Sequence, residues 1–426
     1  MPRRPRLTTL LCTLLFAGLV AVPAAALARS PLRGHAHKAA ASKSKSKSKS
    51  KTKTKAKPKP KPALSVDESR AISSFTAMQK VYYLPTARLY RGASGAAYSD
   101  LWPFSQGFSA TVDMAALPNE HQVYRSNLEA VLGGLNEYWA YGYTPPIGYL
   151  AVVGAPKRTT GVRYFDDNEW IGLDLVRLYV QDHLAELLPQ AEKIFSLVTA
   201  AWDNTTSVAC PGGVPFTDLT VNGDRNTVTN APGAELGAEL YELTGDGSDL
   251  AWASKMYNWV RSCLLQPDNL YSDHINGQGQ IDSTEWTYNQ GSMIGAGAML
   301  YQATKDPTYL AQAQATAQAA MTYFTGATLD TQPVVFNAIY LRNLLFLGTE
   351  LPATAGDSGG NPSPTTTGPD VYAPYAQAYA NDMWTNVRDP ANGLFDAEPG
   401  GGTQLLDSAG MVQVYAMLSE PFSLLF

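Results

Sequence analysis

The sequence predicts an all-α protein, an (α/α)6 barrel in which six helical hairpins close into a toroid. Two observations carry this expectation. Apolar residues recur at three- and four-residue spacing along the body of the chain, and the alternation of β-branched residues that marks strands is scarce. The chain also repeats itself. A shift of 60 residues superposes Leu240-Tyr241 on Leu300-Tyr301, Thr244 on Thr304, Asp246 on Asp306 and Leu250-Ala251 on Leu310-Ala311. An earlier copy opens at Asp167-Asn168, with Leu178-Tyr179 in the place of the Leu-Tyr pair. Each copy reads as a helix, a turn of Gly, Asp or Pro, and a second helix. Such hairpins either close into a ring or stack as an open solenoid, and the solenoid is the alternative.

In chain order, the first element is a basic stretch, Met1 to Arg6, followed by the apolar run Leu7 to Val22 and the small-x-small sequence Ala26-Leu27-Ala28. Residues 1–28 therefore read as a secretory signal, the alternative being a membrane anchor for which the apolar run is short. Residues 29–64 follow as a Lys-rich segment, KSKSKSKSKTKTKAKPKPKP at its centre, with no acid and no aromatic residue. It cannot bury enough apolar surface to offset the entropy of ordering and is expected to be disordered. One reading of it is a self-repelling spacer of roughly 80 Å; the other is a contact for anionic cell-surface polymers.

The body, residues 65–426, is expected to be one catalytic domain. The spacing predicts helices over 68–83, 104–116, 119–139, 168–182, 184–201, 231–243, 248–264, 290–303, 307–324, 333–347, 371–386 and 405–418. These pair as outer and inner helices of six hairpins. Turns within a hairpin, such as Thr244 to Ser248, are short, whereas the loops leading into each inner helix are long and rich in Gly, aromatic and polar residues. Long loops at one end build a cleft there. The run Pro352 to Pro369 reads as a flexible insertion.

The formal net charge of −5 conceals a division. No acid precedes Asp67, and 16 of the 32 basic residues lie before Ser65, so the body holds 16 basic against 37 acidic residues, a net −21. That argues against nucleic acid as a partner, because phosphate binding requires clustered Lys and Arg. A monomer is expected. Beyond Cys12 of the leader, the cysteines are Cys210 and Cys263, which form either a disulfide or two buried thiols.

Polar residues open each inner helix: Ser105-Gln106, Asp167-Asn168, Thr229-Asn230, Asn289-Gln290, Asn337 and Asp407-Ser408. Helix capping accounts for such residues one at a time. It accounts less well for the aromatic residues beside them, Trp102, Phe104, Tyr164, Trp170, Trp286 and Tyr288, for which core packing is the plain alternative. Hydroxyl-binding groups alternating with flat apolar faces around one rim describe a carbohydrate cleft. The sharpest feature is Tyr164-Phe165-Asp166-Asp167-Asn168-Glu169-Trp170. Neighbouring carboxylates repel unless one is protonated, and glycoside hydrolysis uses such a pair as nucleophile or base and as general acid. Their spacing, and with it the stereochemistry, is open at this level. Helix-dipole stabilisation is the competing explanation for the pair. Few His residues, no HxxxH, no CxxC, no GxSxG and no phosphate loop speak against metal, serine-hydrolase and nucleotide chemistry, and no metal or cofactor is expected.

With those residues in view, YFDDNEWIGLDLVRLY, NTVTNAPGAELGAELYELTGD and EWTYNQGSMIGAGAMLYQATKDPTYL closely resemble glycoside hydrolase family 76, the endo-acting α-1,6-mannanases, over roughly Val66 to Leu425. The resemblance implies an (α/α)6 barrel, retaining cleavage of α-1,6-mannosidic bonds and no metal. It implies Asp166 as nucleophile and Asp167 as acid/base. It also implies that Trp102, Gln106, Asn168, Thr229, Asn230, Trp286, Tyr288, Asn289 and Gln290 line the mannose subsites. The segment Cys210 to Phe216 departs from the family pattern. Transglycosylation on cell-wall glycans and a non-catalytic mannan-binding role are the alternatives.

Overall fold

The computed structural model describes residues 63–421, apart from 94, 119, 155–159, 220–222, 352–370 and 398–403. The leader, the Lys-rich segment to residue 62 and the insertion at 352–369 lie outside the described residues. The described helices are α1 (Val66–Tyr82), α2 (Leu101–Ala116), α3 (His121–Leu135), α4 (Phe165–Asp182), α5 (Leu187–Ala200), α6 (Ala231–Thr244), α7 (Gly247–Leu264), α8 (Thr287–Thr304), α9 (Pro307–Tyr323), α10 (Val334–Glu350), α11 (Ala373–Asp382) and α12 (Leu405–Met417). A π-turn over Met383–Val387 extends α11.

Helices α2, α4, α6, α8, α10 and α12 each pack on the next, and α12 packs back on α2, so the ring closes and the open solenoid is set aside. Helices α3, α5, α7 and α9 lie outside their partners, and α1 covers α12. The two rings differ in burial as this demands. From Val334 to Gly348 in α10 every residue but Phe336 is buried, whereas α9 buries only the stripe Ala313, Thr316, Ala317 and Ala320.

The 60-residue repeat has a local cause at the closed end. Gly245 and Lys305 end α6 and α8 in the left-handed region, with φ of 74° and 59°. The Thr244 and Thr304 hydroxyls donate to Leu240 and Leu300 one turn back and accept the amides of Asp246 and Asp306. Asp246 and Asp306 then cap α7 and α9 by accepting from Ser248 and Thr308. Each Thr-x-Asp triplet thus stops one helix and starts the next.

At the other end the loops are long. After α1, β1 (Tyr83–Leu84) pairs with β2 (Leu89–Tyr90); a later loop carries β3 (Arg225–Asn226), which pairs antiparallel with β4 (His274–Ile275), and β4 pairs with β5 (Ile281–Asp282). Here the structure corrects the expected helix starts: α2, α4 and α8 each begin three residues before the predicted 104, 168 and 290. Asp100, Tyr164 and Trp286 occupy the cap positions and make no side-chain cap bond. Gln106, Asp167, Asn168, Asn289 and Gln290 therefore lie inside their helices, and capping is not their role.

The interior is charged as well as apolar. Arg177 on α4 is ion-paired with Asp113 on α2 and lies 3.3 Å from Asp174. Arg342 on α10 bonds Asp113 at 2.5 Å and Glu420, just past α12, at 3.3 Å. Four parts of the ring are tied through groups that are buried. Removing one partner of such a pair costs about 3–5 kcal/mol.

Candidate active site at the amino ends of the inner helices

The first turn of α4 presents Asp166 and Asp167, 7% and 6% exposed. Their environments differ. Burial first, and the nearby Asp273, push the pKa of Asp166 up to about 7, against the backbone amides of Asp167 and Asp166 at the helix start, which favour its anion. Asp167 has no such donors: burial first, then Asp166 and Asp100, hold its pKa well above the carboxylate range. Both carboxyls are pushed toward the acid form, and only Asp166 has groups beside it that favour the anion. Asp166 Oδ1 is buried and makes no hydrogen bond to a described residue.

Asp273, in the loop before β4, acts on Asp166: after burial, its charge raises both Asp166 and Tyr288. Asp273 accepts from Asn289 Nδ2 at 3.2 Å and pairs with His274 Nδ1 at 2.8 Å. Asp273, His274 and Asp282 each offer one ligand atom within 4.8 Å of the others, so these three side chains have the composition to hold a cation. The His274–Asp273 and Asp282–Thr284 hydrogen bonds account for them as they stand.

The aromatic residues form a continuous wall. Trp170 contacts Trp102, with centroids 6.2 Å apart, and Trp102 meets Phe336 at 6.3 Å. Phe336 touches Trp286 at 5.7 Å and stacks flat on Tyr288 at 3.8 Å. Trp102, Trp286 and Tyr288 are half-buried, so each keeps part of its surface outward. Tyr164 packs instead on Phe216, and Phe104 is core.

The amides do something else. Asn168 donates to the carbonyls of Tyr149 (3.1 Å) and Tyr164 (2.8 Å) and accepts the Tyr149 amide (2.6 Å). Asn230 makes the same three bonds to Val214 and Asn226, and Gln290 makes them to Tyr271 and Trp286. Asn337 repeats the theme, donating to Leu329 and accepting from Thr287. Asn168, Gln290 and Asn337 are each the fourth residue after a helix cap and Asn230 is the cap of α6; all four are fully buried and fasten a preceding loop to a helix start. Thr229 is spent likewise, donating to the Val214 carbonyl at 2.9 Å. Gln106 is locked to Gln413 at 3.2 Å. The polar atoms of Asn168, Asn230, Gln290, Thr229 and Gln106, expected at the mannose subsites, are thus engaged within the fold, whereas Asp166, Asp167, Asn289, Tyr288, Trp102 and Trp286 are brought together.

Sequence reasoning missed Asp273, Asp100 and Phe336. Phe336 had a signal, since it stands three residues after Pro333 as Asp167 and Asn289 stand after Tyr164 and Trp286. Asp273 had none, because only the fold of its loop carries it to α4.

The model of glycosyl hydrolase family 76 matches residues 65–357. The chain belongs to glycosyl hydrolase family 76. A crystal structure of a family 76 glycoside hydrolase from a bovine Bacteroides thetaiotaomicron strain is 25% identical, with a TM-score of 0.68 over 83% of this chain and 78% of that one. An inactive α-1,6-mannanase variant from Salegentibacter sp., with two consecutive aspartates changed to asparagine and α-1,6-mannotriose bound, is 20% identical and has the same fold, with a TM-score of 0.68 over 83% and 99% of the two chains. Mannan endo-1,6-alpha-mannosidase DCW1 of Candida glabrata is 26% identical over 35% of this chain, and the match spans only 34% of that relative. Mannan endo-1,6-alpha-mannosidase DFG5 of Candida albicans is 24% identical over 53% and 55% of the two chains.

Proposed function

We propose that the protein is an endo-acting α-1,6-mannanase that cleaves mannan with retention. The observation that carries this is the buried neighbouring pair in the first turn of α4, in which the helix-start amides favour the anion of Asp166 whereas every influence on Asp167 favours its acid form. Asp166 attacks the anomeric carbon as the anion, while Asp167, held protonated, gives its proton to the leaving oxygen and then takes one from the incoming water. The Trp102, Trp286 and Tyr288 faces suit pyranose rings, and Asn289 and Asp273 suit their hydroxyls. The names of the relatives support the substrate.

The same reading places the enzyme outside the cell. The Cys210–Cys263 disulfide, with Cα atoms 6.1 Å apart, supports an oxidising compartment, and the leader supports export. The Lys-rich segment then adsorbs the enzyme to anionic wall polymers. Unchanged salt-dependent retention on isolated walls after deletion of Lys38 to Pro62 overturns that part.

The test of the activity is α-1,6-mannotetraose followed by proton NMR, with an acceptor sugar in a parallel sample. Shorter oligosaccharides whose first-formed anomer is α are expected. A β product refutes retention, transfer to the acceptor in place of hydrolysis makes the enzyme a transglycosylase, and binding without cleavage makes it a lectin.

A further inference from the structure

Below Asp166 the inner ring holds acids that the proposed reaction does not use. Glu169, one turn along α4, is 0% exposed, and neither of its carboxyl oxygens makes a hydrogen bond to a described residue. Glu235 and Glu239 on α6 continue the line, the former with one unpaired buried oxygen and the latter with two. The backbone makes room for them. A Cβ on Gly233 would come within 2.8 Å of Glu169 Oε1, and one on Gly295 within 2.4 Å of Glu235 Oε1. Among the described residues the line meets a cation at its far end, where burial and Asp174 oppose ionised Glu239 and Arg177 favours it.

An unpaired charge in such a place is too costly to persist, and a buried carboxyl without a cation takes a proton instead. Asp166, Glu235 and the Gly233 peptide are the groups that face Glu169, and none is a cation. A protonated Glu169 owns an O–H with no acceptor, and Asp166 owns a buried oxygen, Oδ1, with no donor. The two side chains stand three residues apart on one helix, the spacing at which side chains are neighbours.

Resting on the reading of Asp166 as nucleophile, we propose that Glu169 is a positioning residue: it stays protonated and turns its O–H to Asp166 Oδ1, steadying the anion that attacks. Glu235 and Glu239 keep it neutral by offering no cation that would draw its proton away. Burial, Asp166 and Glu235 all act in that direction, and only the Gly233 amide opposes them.

The test uses Glu169→Gln, which keeps a neutral donor, and Glu169→Leu, which does not. On α-1,6-mannotetraose, Glu169→Leu is expected to lower kcat roughly ten- to hundredfold, the worth of a hydrogen bond to a charged group, with KM little changed. Its acid limb should move up by about one to two pH units. Glu169→Gln should recover most of both effects. The infrared difference between wild type and Glu169→Gln at neutral pH should contain the carbonyl stretch of one protonated carboxyl. Its absence means Glu169 is ionised and overturns the proposal, whether or not the Leu variant folds, and so does an unmoved acid limb in a folded Glu169→Leu. Asp166→Asn, run beside them, reports on the underlying reading: wild-type activity there refutes the nucleophile while the infrared band still decides the state of Glu169.

Discussion

Asp166→Asn should destroy activity and yet make the protein more stable. Burial and Asp273 raise the pKa of Asp166 from its ordinary 3.8 to about 7, and two backbone amides only partly offset this. Below pH 3.8 the carboxyl is protonated whether the chain is folded or not, and it has no effect. As the pH rises toward 7 the unfolded chain ionises and gains free energy that the folded chain cannot match, so stability falls. The loss by pH 7 is about 4 kcal/mol at 1.36 kcal/mol per pH unit. An asparagine of the same shape does not titrate and avoids it. With an unfolding entropy of about 0.75 kcal/mol per degree for a body of about 360 residues, Asp166→Asn should melt about 5 °C above wild type at pH 7. The gap should close toward pH 4. The assay is differential scanning calorimetry of both proteins at half-unit steps from pH 4 to 7.5. Parallel melting temperatures throughout would refute the argument, because Asp166 would then be as well solvated in the fold as in the unfolded chain. A variant that melts lower at every pH would instead give the carboxylate a structural role.

Asp167→Asn should lower kcat on mannan by about 10² to 10⁴, the usual worth of a general acid. It should lose far less on an aryl α-mannoside whose leaving group needs no proton, and equal losses on the two substrates would count against Asp167 as the acid. Replacing Cys210 and Cys263 together by Ala opens a loop of 53 residues. That should cost about 4 kcal/mol, or about 5 °C by the same conversion, with activity retained at room temperature; chemical denaturation of the pair variant checks it. Asn168→Ala should cost about 3 kcal/mol by leaving the buried Tyr149 and Tyr164 groups unpaired. Because it frees the 139–164 loop, it should also raise KM, and an unchanged urea midpoint would show that the loop is fastened elsewhere.

How much was visible beforehand depended on whether a feature is local. Each helix was legible because an apolar stripe repeats along it, and the inner and outer rings were legible because the turns alternate short and long. Closure of the ring was less so: it rests on α12 meeting α2 and α1, contacts across most of the chain that only the alternation of loops hinted at. Helix starts were misplaced by three residues at Gln106, Asn168 and Gln290 because polar side chains at a helix entrance read as caps. In the fold Asn168 and Gln290 reach backward to loop carbonyls instead, and Gln106 is held by Gln413. The Asp166-Asp167 pair was conspicuous as a sequence, but the asymmetry between its members comes from amide donors and from Asp273, a residue about a hundred positions away. Glu169 was part of a recognised motif and still carried no visible message, since a Glu between Asn and Trp looks like any helical acid until its burial is known.

The amides of Asn168, Asn230, Gln290 and Asn337 bear on how such a cleft can change over evolutionary time. Each of these amides ties a loop to the start of a helix, chiefly through bonds to backbone rather than to particular side chains. Backbone looks alike in every sequence, so the stretch between moorings is free to lengthen, shorten or be exchanged while the catalytic turn of α4 stays put. A toroid fastened in this way works as a rack of interchangeable cassettes, in which a new glycan preference needs new loop contents and no new frame.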